Sequence, residues 1–132
     1  MLMNTPATSA HESETAVVSL CLQDPARWIA RASGEGITSE HFEDPGLRFV
    51  WEDLALRWKD DRTDEIDLTF LTQEYQQSGS IENLGGPQGF TQTYSFETNS
   101  GSWSAHIRKL IDVRARRIAS RRSLSLQSVA ED

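Results

Sequence analysis

Residues 44–58 read Asp-Pro-Gly-Leu-Arg-Phe-Val-Trp-Glu-Asp-Leu-Ala-Leu-Arg-Trp, and this stretch decides the fold class. Aspartate followed by proline is a helix start. The carboxylate accepts the first backbone N–H groups, and proline at the first helical position loses a hydrogen bond that position never makes. Behind it, Leu47, Val50, Trp51, Leu54 and Trp58 fall three, one, three and four residues apart. That spacing puts them on one face of a helix. The charged run over residues 59–65 ends it.

The same pattern recurs on both sides. Upstream, Asp24-Pro25 opens a helix carrying Trp28, Ile29 and Ala32, which stops at Gly34 and Gly36. Before it, Ser13 caps a short helix to Gln23 with Ala16, Val17, Leu20 and Cys21 on its apolar side. A turn is expected around residues 39–42. Downstream, Asp67 caps a helix with Leu68, Leu71 and Tyr75, ended by Ser78-Gly79. Ile81 and Leu84 lie in a connector before Gly85-Gly86, and Pro87 opens a short helix with Phe90 and Tyr94. Residues 99–102 read as loop and cap. From Trp103 to about Val129 the chain reads as one helix, about 40 Å long if continuous, with the stripe Trp103, Ile107, Leu110, Ile111, Ala115 and Ile118. Beyond Ile118 the stripe breaks, and Ser120, Ser123, Ser125 and Ser128 lower helix propensity, so fraying is expected there. Alternation of the β type is nearly absent. The expected architecture is all-α. A flexible tail covers residues 1–11, a compact bundle of about six short helices covers 12–98, and a long basic arm helix covers 99–132.

Length and charge narrow the function. At 132 residues the chain makes one ordinary domain with a core of its own. The net charge is −7 and uneven: residues 1–100 carry 17 acids and six bases, residues 101–132 three acids and seven bases. An acidic body repels nucleic acid, so DNA contact is expected to be weak at most and confined to the basic helix. The cluster Arg114, Arg116, Arg117, Arg121 and Arg122 is the candidate contact for phosphates or an acidic surface; a solvated helix face is the competing reading. Cys21 is the only cysteine, which excludes an intrachain disulfide. No run approaches the length of a spanning helix, and residues 1–11 lack the apolar run of a signal peptide, so the expected location is cytoplasmic.

Catalytic patterns are missing. Gly85-Gly86-Pro87-Gln88-Gly89 lacks the lysine and hydroxyl residue of a phosphate loop and reads as a turn. His41-Phe42-Glu43-Asp44 resembles a metal cluster, but Asp44 is better used as a cap. Glu52-Asp53 and Asp60-Asp61 are neighbours that diverge on a helix rather than converge as an acid/base pair. Cys21 and the four tryptophans read as core or interface residues. No catalytic residue, cofactor or metal is expected.

Several segments, taken in order, resemble the N-terminal domain of DnaB-type replicative helicases. These are the helix leading into Asp24-Pro25-Ala26-Arg27-Trp28; His41-Phe42 followed by Pro45, Arg48, Phe49 and Val50; Ile66-Asp67-Leu68 with Leu71; the Ile81 to Gly86 connector; and Glu97-Thr98-Asn99 leading to His106, Ile107 and the basic helix. The resemblance covers about residues 12–122. It implies a helical bundle with a projecting hairpin arm, a non-catalytic module that assembles the helicase collar and docks primase, and an ATPase domain elsewhere. The expected partners are a second copy of the chain and primase or helicase subunits. The chain departs from the family in replacing a Pro-containing lead into the arm with Ser100-Gly101-Ser102-Trp103, and it ends about where a second hairpin helix should begin. A dimer or partner interface is therefore expected on the long helix itself, at Trp103, Ile107, Leu110, Ile111 and Ile118, with two arms crossed or antiparallel. The same residues also fit a stand-alone regulator, phage- or element-encoded, that binds a helicase or primase by mimicking this domain.

Overall fold

The computed structural model describes the backbone of residues 10–131 and the side chains of residues 10–122. It is all-α. Six α-helices follow one another: α1 (Ala10–Gln23), α2 (Pro25–Gly34), α3 (Pro45–Lys59), α4 (Leu68–Ser78), α5 (Gly86–Tyr94) and α6 (Trp103–Glu131). Short 3-10 turns at Ser39–His41, Thr63–Glu65, Ser80–Leu84 and Ser100–Ser102 link them. What reads in the sequence as about six short helices is five α-helices plus the turn at Ser39–His41. Ala10 and His11, expected in a tail, already belong to α1; the rest of that tail lies outside the described residues. The side chains on which the expected fraying rests, Ser123 to Val129, also lie outside them, while the backbone stays helical to Glu131.

The fold is built around α1, which packs on α2, α3, α5 and α6. Every residue from Ser13 to Leu22 is buried. A helix covered on all sides is normally apolar on all sides, yet Ser13, Glu14, Thr15 and Ser19 are each less than a tenth exposed. Each has a partner. Glu14 Oε1 accepts the N–H groups of Glu43 and Asp44, at 3.1 and 3.2 Å, where the chain enters α3. Ser19 Oγ donates to Tyr94 O at 2.7 Å and accepts Glu97 N–H at 3.1 Å, fixing the end of α5. Thr15 Oγ1 donates to His11 O one turn back. Ser13 Oγ lies 3.0 Å from His106 Nδ1 of α6. Among the described residues no buried side-chain N or O atom lacks a partner.

The helix starts are mixed. Asp44 Oδ1 accepts Gly46 N–H and Leu47 N–H, and Asp67 accepts Phe70 N–H, as their sequence positions predict. Asp24 occupies the cap position of α2 without a side-chain cap bond, so proline alone marks that start. Ser13 caps nothing; it sits inside α1 and is used for tertiary contact. Two glycines are required by close approach. A Cβ on Gly46 would meet Asn83 O at 2.5 Å, and one on Gly89 would meet Leu84 O at 2.2 Å, so both helices press on the Ser80–Leu84 turn.

Near its end α3 departs from the apolar stripe. Trp58 is 36% exposed while Arg57 is 5% exposed. The last turns of α3 pack on the Thr63–Glu65 turn, and carboxylates draw Arg57 inward. Its guanidinium reaches Asp53 at 2.9 Å, Glu65 at 2.7 Å and Glu74 at 3.3 Å. Burial works against the charge, but Asp53 and Glu74 outweigh it and hold the group more firmly protonated than usual. Tyr75 O–H donates to Asp53 at 2.6 Å, so α3, α4 and the intervening turn are tied by one polar network. Burial, and then Asp53, push the Tyr75 phenol up.

The buried position of Glu14 gives a measurable consequence. Glu14→Ala leaves two N–H donors at the start of α3 without their acceptor and is expected to cost about 1–3 kcal/mol. Glu14→Gln keeps an acceptor oxygen and loses less. Urea unfolding of the two variants reads the difference, and equal losses would contradict the assigned role.

Candidate interaction surface along the long helix

The first half of α6 is core. Trp103, Ile107 and Leu110 are 1%, 3% and 1% exposed. The Trp103 ring lies 4.6 Å from that of Trp28, and its Nε1–H donates to Glu35 at 3.3 Å. Arg27 and Arg31 cover the outer face of Trp28, and Arg31 also pairs with Glu35 at 2.7 Å. These three stripe residues, expected at a dimer or partner interface, are packed instead into the chain's own bundle. The reason is geometric. At about 100° per residue, 103, 107 and 110 point within about 60° of one another, whereas 111 and 118 turn some 60–80° to the side. Ile111 is 43% exposed and Ile118 is half-buried. Ile111 and Ala115 flank a shallow depression of about 570 Å³, lined also by Ala105, Arg108, Lys109 and Asp112, on the side of α6 away from the core.

Farther along, Arg114 and Arg117 continue the buried face as polar positions. Arg114 pairs with Glu40, and Arg117 pairs with Glu43 at 2.8 Å and donates to Glu40 O at 3.1 Å. The acidic residues they meet, Glu40 and Glu43, lie in and just after the Ser39–His41 turn of the same chain. Arg116 pairs within the helix with Asp112 at 2.9 Å. Arg121 and Arg122 are exposed. The five arginines thus divide into two that brace the arm, one that stays on the helix, and two that are exposed, of which Arg121 borders the cleft at Glu40. Glu40 and Arg48, which line the same region, were missed in the sequence because neither belongs to the basic helix. Arg48 is signalled only as part of the family-like segment after His41-Phe42, and Glu40 only by its nearness to it.

The electrostatics follow the geometry. Arg114 beside Glu40 holds that carboxyl below the usual range. His41 is buried, and its Nδ1 accepts Thr38 N–H at 3.0 Å. Burial, and then the charges of Arg114 and Arg117, hold its imidazole below the ordinary value of 6.5. At the base of the arm His106 Nε2 lies 3.2 Å from Glu97, so Ser13, His106 and Glu97 form a row. Burial alone would raise the Glu97 carboxyl, but bonds from Asn99 N–H, His106 and Ser102 lower it on balance. A serine, a histidine and a carboxylate in line resemble an activated nucleophile. Ser13 is 1% exposed, however, which shuts substrate out and makes the row a tether between α1 and α6. Cys21 is fully buried and its thiol pushed up, which fits a core residue. Trp28, Trp51 and Trp103 are core residues as well. Among the described residues no group of three or more His, Cys, Asp or Glu could hold a metal ion, and no helix is long and apolar enough to cross a membrane.

The family model for the DnaB-like helicase N terminal domain matches residues 6–112 of the chain, which spans the bundle and the core-facing part of α6. No curated protein and no solved structure matches it.

His41 supplies a pH test. The unfolded chain takes up a proton on this residue at pH values where the folded chain resists it. Its contribution to stability is therefore complete above pH 6.5 and is lost as pH falls from there towards the lower folded value. Glu40, Glu65 and Glu97, all lowered from 4.5, lose theirs only at more acid pH. Denaturant midpoints between about pH 7.5 and 5 should fall for the wild type and stay flatter for His41→Asn; parallel curves would contradict the assignment.

Proposed function

We propose, from the premise that this chain belongs to the DnaB-like helicase N-terminal domain family, that it is a non-catalytic assembly and docking module acting in DNA replication. Its partners are a second copy of the chain and the primase or helicase subunits of the replication machinery, in the cytoplasm. It does not itself hydrolyse ATP. The observation that carries this reading is the division of α6. One face completes the core, and the side turned away from it is left open, with Ile111 at its edge and Ala105 and Ala115 around a shallow depression. Partner binding is a use for such a face, because an uncovered apolar strip on a long helix gains from burial.

The area is small. Removing an isoleucine wholly from water contributes about 1.5–3 kcal/mol, and Ile111 is already partly covered. Association costs roughly 4–15 kcal/mol. One isoleucine from each chain thus offsets only the lower end of that cost, so self-association through this face is weak and shows at high concentration, with Ile111 at the seam and Ile118 beside it. A two-fold axis is the simplest closed arrangement. Arg116, Arg121 and Arg122 oppose close parallel pairing, so the arms cross or run antiparallel.

Light scattering over a wide dilution series tests this. The mass is expected to rise towards a dimer with concentration, and Ile111→Asp is expected to return it to monomer. A strict monomer at the highest concentration, or a dimer indifferent to Ile111→Asp, sinks the proposal.

A further inference from the structure

A second feature lies on the other side of α6. The Ser39–His41 turn, the first turns of α3 and the middle of α6 enclose a cleft of about 300 Å³ lined by Glu40, Arg48, Arg114, Arg117, Ile118 and Arg121. Four arginines from two helices therefore line one small cleft, against two carboxylates, Glu40 within it and Glu43 paired with Arg117. This is a concentrated positive charge in a chain whose net charge is −7. Three of the four arginines are held in place. Arg48 donates from Nε and Nη2 to Phe42 O at 3.0 and 2.8 Å. Arg114 is held by Glu40, and Arg117 by Glu43 and Glu40 O. Arg121 has no carboxylate partner among the described residues. The Glu40 side chain is 69% exposed, so it occupies the cleft from the solvent side and can leave it at little cost.

We propose that this cleft is a binding site for a compact polyphosphate, whose phosphates displace the Glu40 carboxylate from Arg114 and recruit Arg48, Arg117 and Arg121. Guanidinium groups bind phosphate oxygens through paired charge-assisted bonds. Several charges must fit a small volume, which linked phosphates provide and the separate carboxylates of a peptide do not. A long nucleic acid would leave the cleft and run along an acidic body. A compact anion stays inside. The cleft is centred on the side of α6 opposite the depression at Ala105 and Ala115, and Ile118 lies between the two surfaces.

The probe is sodium tripolyphosphate, titrated into the full chain by calorimetry while the His41 ring signals are followed by NMR. His41 faces Glu40, Arg114 and Arg117, so an anion seated on those arginines raises its pKa, whereas an anion bound elsewhere leaves it in place. One saturable site is expected. Arg121→Gln, at an exposed residue, should weaken it roughly tenfold. Glu40→Gln removes the competing carboxylate and should tighten it. Glu82→Gln removes the same charge from an exposed position outside the cleft and should not. A nucleoside triphosphate that binds as tightly as tripolyphosphate supports recognition of the phosphates alone; tighter binding supports a nucleotide as their source. The proposal is overturned by the absence of saturable binding, by an unmoved His41, by equal effects of Glu40→Gln and Glu82→Gln, by indifference to Arg121→Gln, or by a single-stranded oligonucleotide that outcompetes tripolyphosphate.

Discussion

Everything in this fold depends on how α1 meets its neighbours. A helix enclosed over ten consecutive residues, Ser13 to Leu22, has no solvent in which to leave a polar group, and an unpartnered one there is expensive. Glu14, Ser13 and Ser19 are answered by the start of α3, the base of α6 and the end of α5. The apolar residues of α1 provide most of the driving force. The polar ones set register, since a shift of one residue would strand all three. The bundle is thus assembled on a helix that carries both adhesive and address.

The same division of labour continues along α6. Its first turns are locked to the bundle by Trp103 against Trp28 and by His106 between Ser13 and Glu97. Its middle turns are braced by Arg114 and Arg117 on the Ser39–His41 turn. Bracing by exposed ion pairs is weaker than packing and is screened by salt. The arm therefore changes along its length from a core element to one held by charge. A membership in the DnaB-like N-terminal family and an open apolar side on this helix are consistent features of a module built to be joined to something else.

The helices were legible because their signals are local. Asp44-Pro45, Asp67 and Gly79 act at the positions where their chemistry predicts, and the stripe from Leu47 to Leu54 is buried as its spacing requires. What was illegible is tertiary. Ser13 looks like a cap because a serine ahead of an apolar run usually is one; only the arrival of His106 from far along the chain makes it something else. Arg57 and Trp58 exchange places because Glu65 and Glu74 converge on α3 from later elements. On α6 a single apolar stripe in the sequence hides two faces, one for the core at Trp103, Ile107 and Leu110 and one turned aside at Ile111. The arginine cluster was visible as composition, but its division depends on Glu40 and Glu43, which lie some seventy residues away in the chain.

The enclosure of α1 also makes Cys21 an internal clock. Its sulfur is fully covered and its thiol resists ionisation, so alkylating reagents meet it only when the helices around α1 separate. Because α2, α3, α5 and α6 all lie against that helix, exposing the thiol requires neighbouring elements to move off α1. The rate at which this one sulfur is modified therefore reports the openings that uncover α1. The chain carries, without added label, a gauge of how often it comes apart.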